Sequence, residues 1–257
     1  MTGAAARAPA ALRARIRARE RLNGTFIKVP HPQVVEVLGG TALDFVVLDA
    51  EHAAFDIPTL DACILAARAW SLPVLVRVPA LDSPLTGAVL DMGAQGVFLP
   101  HVVTPDDAAH GMAAALYHGG RRGLTGSARS GGYGGAADLA AYARQADAET
   151  VIVAQLEDAG ALDHIAALAG VERIDGFFIG EADLRLSLAN GGAGAPDLAA
   201  AVALLADAVS AAGRPLGCYV DRPGQIADRH DRGFHFLTVG SDQTMLRRAA
   251  AEIAAGA

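Results

Sequence analysis

The chain has 257 residues, of which 52% are hydrophobic, and it carries a formal net charge of −7 at pH 7. An acidic balance without a basic stretch argues against a nucleic-acid-binding protein, and no apolar run reaches the roughly 18 residues that a membrane-spanning helix needs. The two cysteines, Cys63 and Cys218, fit neither a CxxC pair nor a disulfide framework, which favours a reducing, cytoplasmic location.

The first part of the chain, residues 4–21, is rich in alanine and arginine. Its composition is similar to that of a transit peptide, but Glu20 and the short length favour a helix that closes the bottom of the fold. We therefore expect an N-terminal helical extension over residues 1–23 and one domain over residues 24–257.

Eight short, apolar, β-rich runs follow, and longer alanine- and leucine-rich stretches separate them. The predicted strands cover residues 25–29, 45–48, 74–78, 96–99, 151–156, 176–179, 216–220 and 236–239. Helical patterns fill most of the gaps, for example residues 60–70, 105–116 and 197–212. This alternation indicates a parallel sheet with buried strands. Eight such units in about 250 residues are typical of one closed barrel, so the fold class is α/β, a single-domain (β/α)8 TIM barrel.

One connection is unusual, the segment GGRRGLTGSARSGGYGGA at residues 119–136. It is too rich in glycine for a helix and long for a barrel loop, and such loops often act or move. Its arginines, Arg121, Arg122 and Arg129, either bind a substrate carboxylate or are simply solvated.

Charged and polar residues follow the ends of the predicted strands, and nothing comparable marks the strand starts. In a barrel the catalytic face is the carboxyl end of the strands, so this pattern indicates an enzyme. The residues are Asp49, Glu51, His52, Arg77, His101, Gln155, Glu157, Asp158, Glu181, Asp183, Ser241 and Asp242.

Two of these carboxylates suit a metal ion. Gln155 and Glu157 share one face of a strand because side chains alternate with a period of two. Asp183 follows the next strand and therefore becomes a neighbour on the rim. Two carboxylates favour a hard divalent ion such as Mg²⁺ or Mn²⁺, although a pair of unrelated rim acids would give the same spacing.

Three further residues have candidate roles. His52 can act as acid or base, and Asp49 can orient it. Arg77 interrupts an apolar strand and needs anionic partners, either Asp49 or Glu51 or a substrate oxygen. Lys28 is the only lysine, so a Schiff-base mechanism must use it. Otherwise Lys28 is an electrostatic contributor or a residue that extends to solvent.

Six segments together resemble the 4-hydroxy-2-oxoheptanedioate aldolase family, metal-dependent pyruvate aldolases of the phosphoenolpyruvate/pyruvate barrel superfamily that are distantly related to citrate lyase β-subunits. The resemblance covers nearly the whole chain from about Gly24. In order, the segments are DFVVLDAEHAAFD (44–56), VLVRVP (74–79), GAQGVFLPHV (93–102), AQLED (154–158), DGFFIGEADL (175–184) and VGSDQTML (239–246).

The resemblance implies a binding site for metal and pyruvate. Glu157 and Asp183 would hold a divalent ion, Mg²⁺, Mn²⁺ or Co²⁺, with Gln155 beside it. The backbone N–H groups of Ala182 and Asp183 would bind the pyruvate carboxylate at a helix N-terminus.

The resemblance also implies catalytic residues. Arg77 would stabilise the enolate, and His52, oriented by Asp49, would transfer a proton on the aldehyde side. The expected activity is cleavage of 4-hydroxy-2-oxo acids to pyruvate and an aldehyde, or the reverse addition. A trimer-based homo-oligomer, including a hexamer, is expected by the same resemblance.

The chain departs from the family pattern where members commonly read GPADLS. Here Glu181 replaces the proline and Arg185 the serine. Their i, i+4 spacing allows them to neutralise each other; otherwise Glu181 adds negative charge beside the metal and repels an anionic substrate. Three alternatives remain open: a lyase or synthase that acts on a citrate-like or acyl-CoA substrate, a Schiff-base aldolase on Lys28, and a non-catalytic barrel.

Overall fold

The computed structural model describes residues 9–191 and 196–256. In this part of the chain eight parallel strands pair in sequence order, and β8 pairs with β1 to close the sheet. The predicted (β/α)8 barrel is therefore confirmed. The strands are β1 (Leu22–Ile27), β2 (Phe45–Asp49), β3 (Val74–Arg77), β4 (Gly96–Leu99), β5 (Val151–Leu156), β6 (Gly176–Ile179), β7 (Leu216–Val220) and β8 (Phe236–Ser241).

Helices surround the barrel, and none in the described residues is long and apolar enough to cross a membrane. The helices are α1 (Pro9–Arg17), α2 (Pro32–Gly39), α3 (Ile57–Ala69), α4 (Leu85–Met92), α5 (Pro105–Ala115), α6 (Leu139–Glu149), α7 (Ala161–Ala169), α8 (Glu181–Asn190), α9 (Leu198–Ala211), α10 (Ile226–Asp231) and α11 (Asp242–Ala255). Two helices, rather than one, separate β4 from β5 and β6 from β7.

The first strand was predicted at the wrong place. Strand β1 begins at Leu22, three residues before the predicted start at 25, and it ends at Ile27. Asn23 and Gly24 are typical of turns in a local sequence pattern, but here both pair with β8. Of the expected extension over residues 1–23, residues 1–8 lie outside the described part of the chain.

The interior of the barrel is filled mainly by large side chains. Phe26, Phe98 and Phe178 meet edge to face, with ring centroids 5.2 to 6.4 Å apart. Leu12 and Ile16 of α1 belong to the same cluster and are 1% exposed. Helix α1 therefore closes the amino-terminal end of the barrel. A second, larger core lies between the strands and the outer helices.

Buried ion pairs hold this closed end together. The Asp175 side chain is fully buried and lies 2.9 Å from both Arg13 Nε and Arg173 Nη1. It also accepts the backbone N–H of Ile152 at 3.0 Å. The amino-terminal end is thus occupied by structural contacts, which leaves the carboxyl end for chemistry.

Candidate active site

The carboxyl end of the barrel carries a polar layer on top of the apolar interior. Side chains on a strand alternate between the barrel interior and the surrounding helices. Each polar residue of this layer therefore comes two positions after an interior apolar residue of the same strand. The pairs are Phe26 with Lys28, Val47 with Asp49, Leu75 with Arg77, and Val153 with Gln155.

Asp49 is the most enclosed member of this layer. Its carboxylate is fully buried and accepts two hydrogen bonds from Arg77, from Nε at 2.9 Å and from Nη2 at 2.7 Å. Lys28 Nζ lies 3.1 Å from the same carboxylate. Burial would raise the pKa of Asp49, but Arg77, the His52 amide and Lys28 together lower it below its ordinary value. Asp49 is therefore ionised and holds Arg77 in one orientation.

Asp49 was expected to orient the His52 side chain, but the contact between the two residues lies at the His52 backbone. Among the described residues, Asp49 contacts His52 through the backbone N–H, at 3.1 Å, and not through the ring. The His52 ring is 49% exposed, and its Nε2 atom lies 3.8 Å from Glu51 Oε2. The carboxylate cannot orient the ring because Arg77 and Lys28 already occupy it.

A second acidic cluster lies beside this pair. Glu51, His101 and Glu157 place one potential ligand atom each within 4.8 Å of one another. His101 has a left-handed backbone with φ of 53°, rare for a residue other than glycine, and its N–H donates to Glu157 Oε1 at 2.9 Å. The His101 ring lies 2.9 Å from Asp158 Oδ2. The side chains of strands β2, β4 and β5 thus converge at one point.

The two glutamates of this cluster are partly or fully buried and lie close to other carboxylates. Burial, with contributions from neighbouring carboxylates, raises the pKa of Glu51 and of Glu157 above the ordinary value. Gln155 Nε2 donates to Glu157 Oε2. Glu51 Oε2 lies 3.2 Å from Arg77 Nε, and Gln155 Oε1 is buried and accepts no hydrogen bond from any described residue. Two neighbouring glutamates and a buried acceptor without a donor fit a cation, so this site suits a divalent metal ion.

Helix α8 begins at the same rim. Glu181 is its first residue, and no side chain caps its N-terminus at Gly180. The first-turn N–H groups of Ala182 and Asp183 are therefore available to an anion. Asp183 stands outside the trio of Glu51, His101 and Glu157, but its negative charge contributes to the raised pKa of both glutamates.

A cavity of about 610 Å³ lies at this rim, and it borders the cluster of Glu51, His101 and Glu157 through Gln155 without being lined by those three residues. This volume is in the range of small-molecule sites, which is roughly 300 to 1,000 Å³. The structure thus brings most of the sequence-predicted site residues to one cavity. Its lining includes Lys28, His52, Arg77, Gln155, Ala182 and Asp183.

The predicted partner of Glu181 is wrong. Its carboxylate lies 2.8 Å from Arg229 Nη2 on α10. Arg185 is exposed and forms no ion pair in the described part of the chain. In the glycine-rich loop, Arg122 forms an ion pair with Asp91 at 2.6 Å. Arg129 forms a second ion pair with Asp61 of α3. These two arginines therefore fix the loop to the barrel wall.

Sequence reasoning did not place Glu51 and His101 in the metal cluster. Both follow strand ends, and that position was the available signal. The left-handed turn at His101 that brings them together has no signature in the sequence.

The chain is similar to known proteins over most of its length. The family model described as HpcH/HpaI aldolase/citrate lyase matches residues 22–249. The 5-keto-4-deoxy-D-glucarate aldolase of Escherichia coli strains is 31% identical over 248 residues, which is 96% of this chain and 96% of that enzyme.

Solved structures give the same result. An HpcH/HpaI aldolase/citrate lyase family protein from Burkholderia cenocepacia J2315 matches with a TM-score of 0.87 at 30% identity, covering 95% of this chain and 98% of that one. Citrate synthase SbnG matches with a TM-score of 0.82 at 28% identity, covering 95% and 96%. Both matches extend over nearly the whole length of this chain.

Proposed function

Because the chain belongs to the HpcH/HpaI aldolase/citrate lyase family and is an aldolase-type lyase, we propose that it cleaves 4-hydroxy-2-oxo acids to pyruvate and an aldehyde. The reverse reaction would join pyruvate and the aldehyde. One observation carries the proposal: the ionised Asp49–Arg77 pair, the acidic cluster around Glu157 and the uncapped N-terminus of α8 lie at one rim. Cleavage next to a 2-oxo acid leaves an enolate, and these groups suit an enolate and its carboxylate.

Glu157 and Asp183 are the proposed metal-binding residues. Glu157 is held at both oxygens, by the His101 N–H and by the Gln155 side-chain amide. Mg²⁺, Mn²⁺ or Co²⁺ bound there would supply a Lewis acid for the keto oxygen of the substrate. Glu51 adds negative charge on the other side of the cluster, which strengthens the preference for a cation.

Arg77 is the proposed enolate-binding residue. It uses Nε and Nη2 on Asp49, so Nη1 remains to donate to a substrate oxygen. The N–H groups of Ala182 and Asp183 bind the substrate carboxylate at the start of α8. Arg77 and α8 thus hold the 2-oxo acid at two points, and Gln155 lines the floor between them.

His52 is the proposed base for the 4-hydroxyl group. Its ring lines the cavity, and its exposure leaves it free to turn toward the aldehyde half of the substrate. Cleavage requires that this hydroxyl loses its proton as the carbon–carbon bond breaks. Asp49 contributes to this step by fixing the backbone at His52.

The first substrate to test is 5-keto-4-deoxy-D-glucarate, the molecule named for the Escherichia coli relatives. Numbered from its keto end, it is itself a 4-hydroxy-2-oxo acid. We expect pyruvate release with Mn²⁺ or Mg²⁺, loss of release with excess EDTA, and recovery when metal is restored. Release that survives EDTA would contradict the metal-dependent mechanism.

Variants connect the activity to the site. Glu157→Gln should lower Mn²⁺ affinity and remove most of the activity, because a neutral amide binds a hard divalent ion poorly. Glu36→Gln, an exposed glutamate of α2, is the matched control and should behave like wild type. Equal metal affinity in the two variants would remove Glu157 from the metal site.

A second candidate is a synthase that condenses an acyl-CoA with a 2-oxo acid to give a citrate-like product. The similarity to citrate synthase SbnG favours it. The same rim would hold the 2-oxo acid, but the cavity would need to admit a thioester. Thiol release from acetyl-CoA with oxaloacetate, without pyruvate release from aldol substrates, would favour this candidate.

A further inference from the structure

The departure from the family pattern at Glu181 is accompanied by a specific partner. Glu181 Oε1 lies 2.8 Å from Arg229 Nη2, and the two side chains are only 28% and 17% exposed. The Arg229 guanidinium also lies 5.4 Å from the centre of the Phe234 ring. The pair therefore bridges the start of α8 to α10, two rim segments that follow different strands.

The position of this ion pair gives it an electrostatic consequence. Glu181 directly precedes Ala182 and Asp183, whose N–H groups are proposed to bind the substrate carboxylate. The partial positive charge at a helix N-terminus is about half a unit charge. A bare carboxylate at the first helical position would offset it and would repel an anionic substrate.

Arg229 is the residue that prevents this repulsion. Glu181 Oε1 is buried and accepts no hydrogen bond of good geometry from the described residues, so its stabilisation depends on the charge of Arg229. Arg185, one turn later on α8, is exposed and does not pair with it.

We propose that Arg229 is a positioning residue for 2-oxo acid binding: it neutralises Glu181 and thereby keeps the first turn of α8 attractive to a carboxylate. The inference rests on the proposed function, because that function places the substrate carboxylate at α8. It adds a residue pair whose charges set the affinity of the site for its anionic substrate.

A double-mutant cycle tests this inference through the sign of each effect. Arg229→Gln leaves Glu181 bare and should raise the KM for the aldol substrate and the Kd for pyruvate roughly tenfold, the scale of a unit-charge repulsion across about 10 Å at a protein surface. Glu181→Gln should leave both constants equal to wild type or lower. The double variant should return close to wild type, and kcat should change less than KM throughout.

Two further arms separate charge from structure. Raising NaCl from about 0.05 M to about 0.5 M should shrink the effect of Arg229→Gln, because salt screens a repulsion but does not repair a misfolded loop. Arg229→Lys should retain most of the affinity. Arg232→Gln is the matched control, since Arg232 pairs with Asp228 at 3.8 Å on an exposed surface next to α10.

The outcomes distinguish this inference from the proposed function. Pyruvate binding is measured by calorimetry on the Mn²⁺-loaded protein, so it does not depend on turnover. Wild type that binds no pyruvate would overturn both proposals. Wild type that binds and releases pyruvate, with equal constants in Arg229→Gln and in the double variant, would overturn the role of Arg229 alone. If the variants change the Kd for pyruvate as predicted but no aldol substrate is cleaved, the role of Arg229 would be supported and the proposed cleavage reaction rejected.

Discussion

Replacing Gly180 by alanine should damage the metal site and leave the barrel intact. Gly180 connects β6 to α8 with φ of −89° and ψ of 83°, outside the left-handed region. An added Cβ would lie 2.7 Å from Glu157 Oε2 and 3.0 Å from Glu157 Cβ. Both contacts are with a proposed metal ligand, and that ligand is held at both oxygens. The collision must therefore move Glu157 or the start of α8.

The size of the effect follows from the cost of overpacking, about 1 to 3 kcal/mol. If that free-energy cost is present only in the metal-bound state, the Mn²⁺ affinity decreases about 5- to 150-fold. Calorimetric titration with Mn²⁺ measures the affinity, and thermal unfolding of the metal-free protein measures stability. Gly87→Ala, within α4, is the control, because the nearest atom to its added Cβ would be the Ala114 carbonyl oxygen of α5 at 3.9 Å. We expect that control to gain about 0.5 to 1 kcal/mol of stability with unchanged affinity.

Wild-type Mn²⁺ affinity in Gly180→Ala would refute the reasoning. It would mean that Glu157 does not hold the ion, or that the rim adjusts without cost. A loss of stability equal to the loss of binding energy would show that the clash acts on the fold and not on the site.

Three further predictions concern charge. Asp175→Asn should lower the free energy of unfolding by about 3 kcal/mol, because Arg173 and its neighbours lose a buried partner. Chemical denaturation measures this free energy. The Mn²⁺ affinity should stay unchanged, because this contact lies at the opposite end of the barrel. The rise in Tm caused by Mn²⁺ should grow as the pH increases above the ordinary glutamate pKa of about 4.5. The raised pKa values of Glu51 and Glu157 mean that the metal-free folded chain binds more protons than the unfolded chain in this range. The stability of the metal-free protein therefore falls as pH rises, whereas the bound ion replaces the lost protons. A rise in Tm that does not depend on pH would contradict this prediction. Borohydride with pyruvate should add no mass at Lys28, the only lysine, and a pyruvate adduct there by peptide mapping would establish a Schiff base instead.

Much of the site was predictable from local sequence patterns. The period of two along a strand places Asp49, Arg77 and Gln155 above the apolar interior, and the barrel rule places strand ends together. Asp49 was correctly included among the possible partners of Arg77, because a buried arginine needs an anion. The chain order of these residues was sufficient for this, since neighbouring strands in sequence are neighbours in the barrel.

The partners of individual charges were not predictable in the same way. Glu181 pairs with Arg229 and not with Arg185 four residues away, and Asp49 binds the His52 backbone and not its ring. Helical spacing shows which residues can meet within one helix, but α10 meets α8 because the neighbouring strands β6 and β7 bring the two helices to the same rim.

The sequence by itself determined the alternation of strands and helices, the two faces of each strand and the set of polar residues at the rim, because these depend on short-range periodicity and burial. Tertiary structure alone decided which of those residues touch. The left-handed turn at His101, which directs its N–H to Glu157, and the bridge from Glu181 to Arg229 join segments that are far apart in the chain. Their geometry depends on the packing of the loops and helices that follow neighbouring strands, which no local pattern encodes.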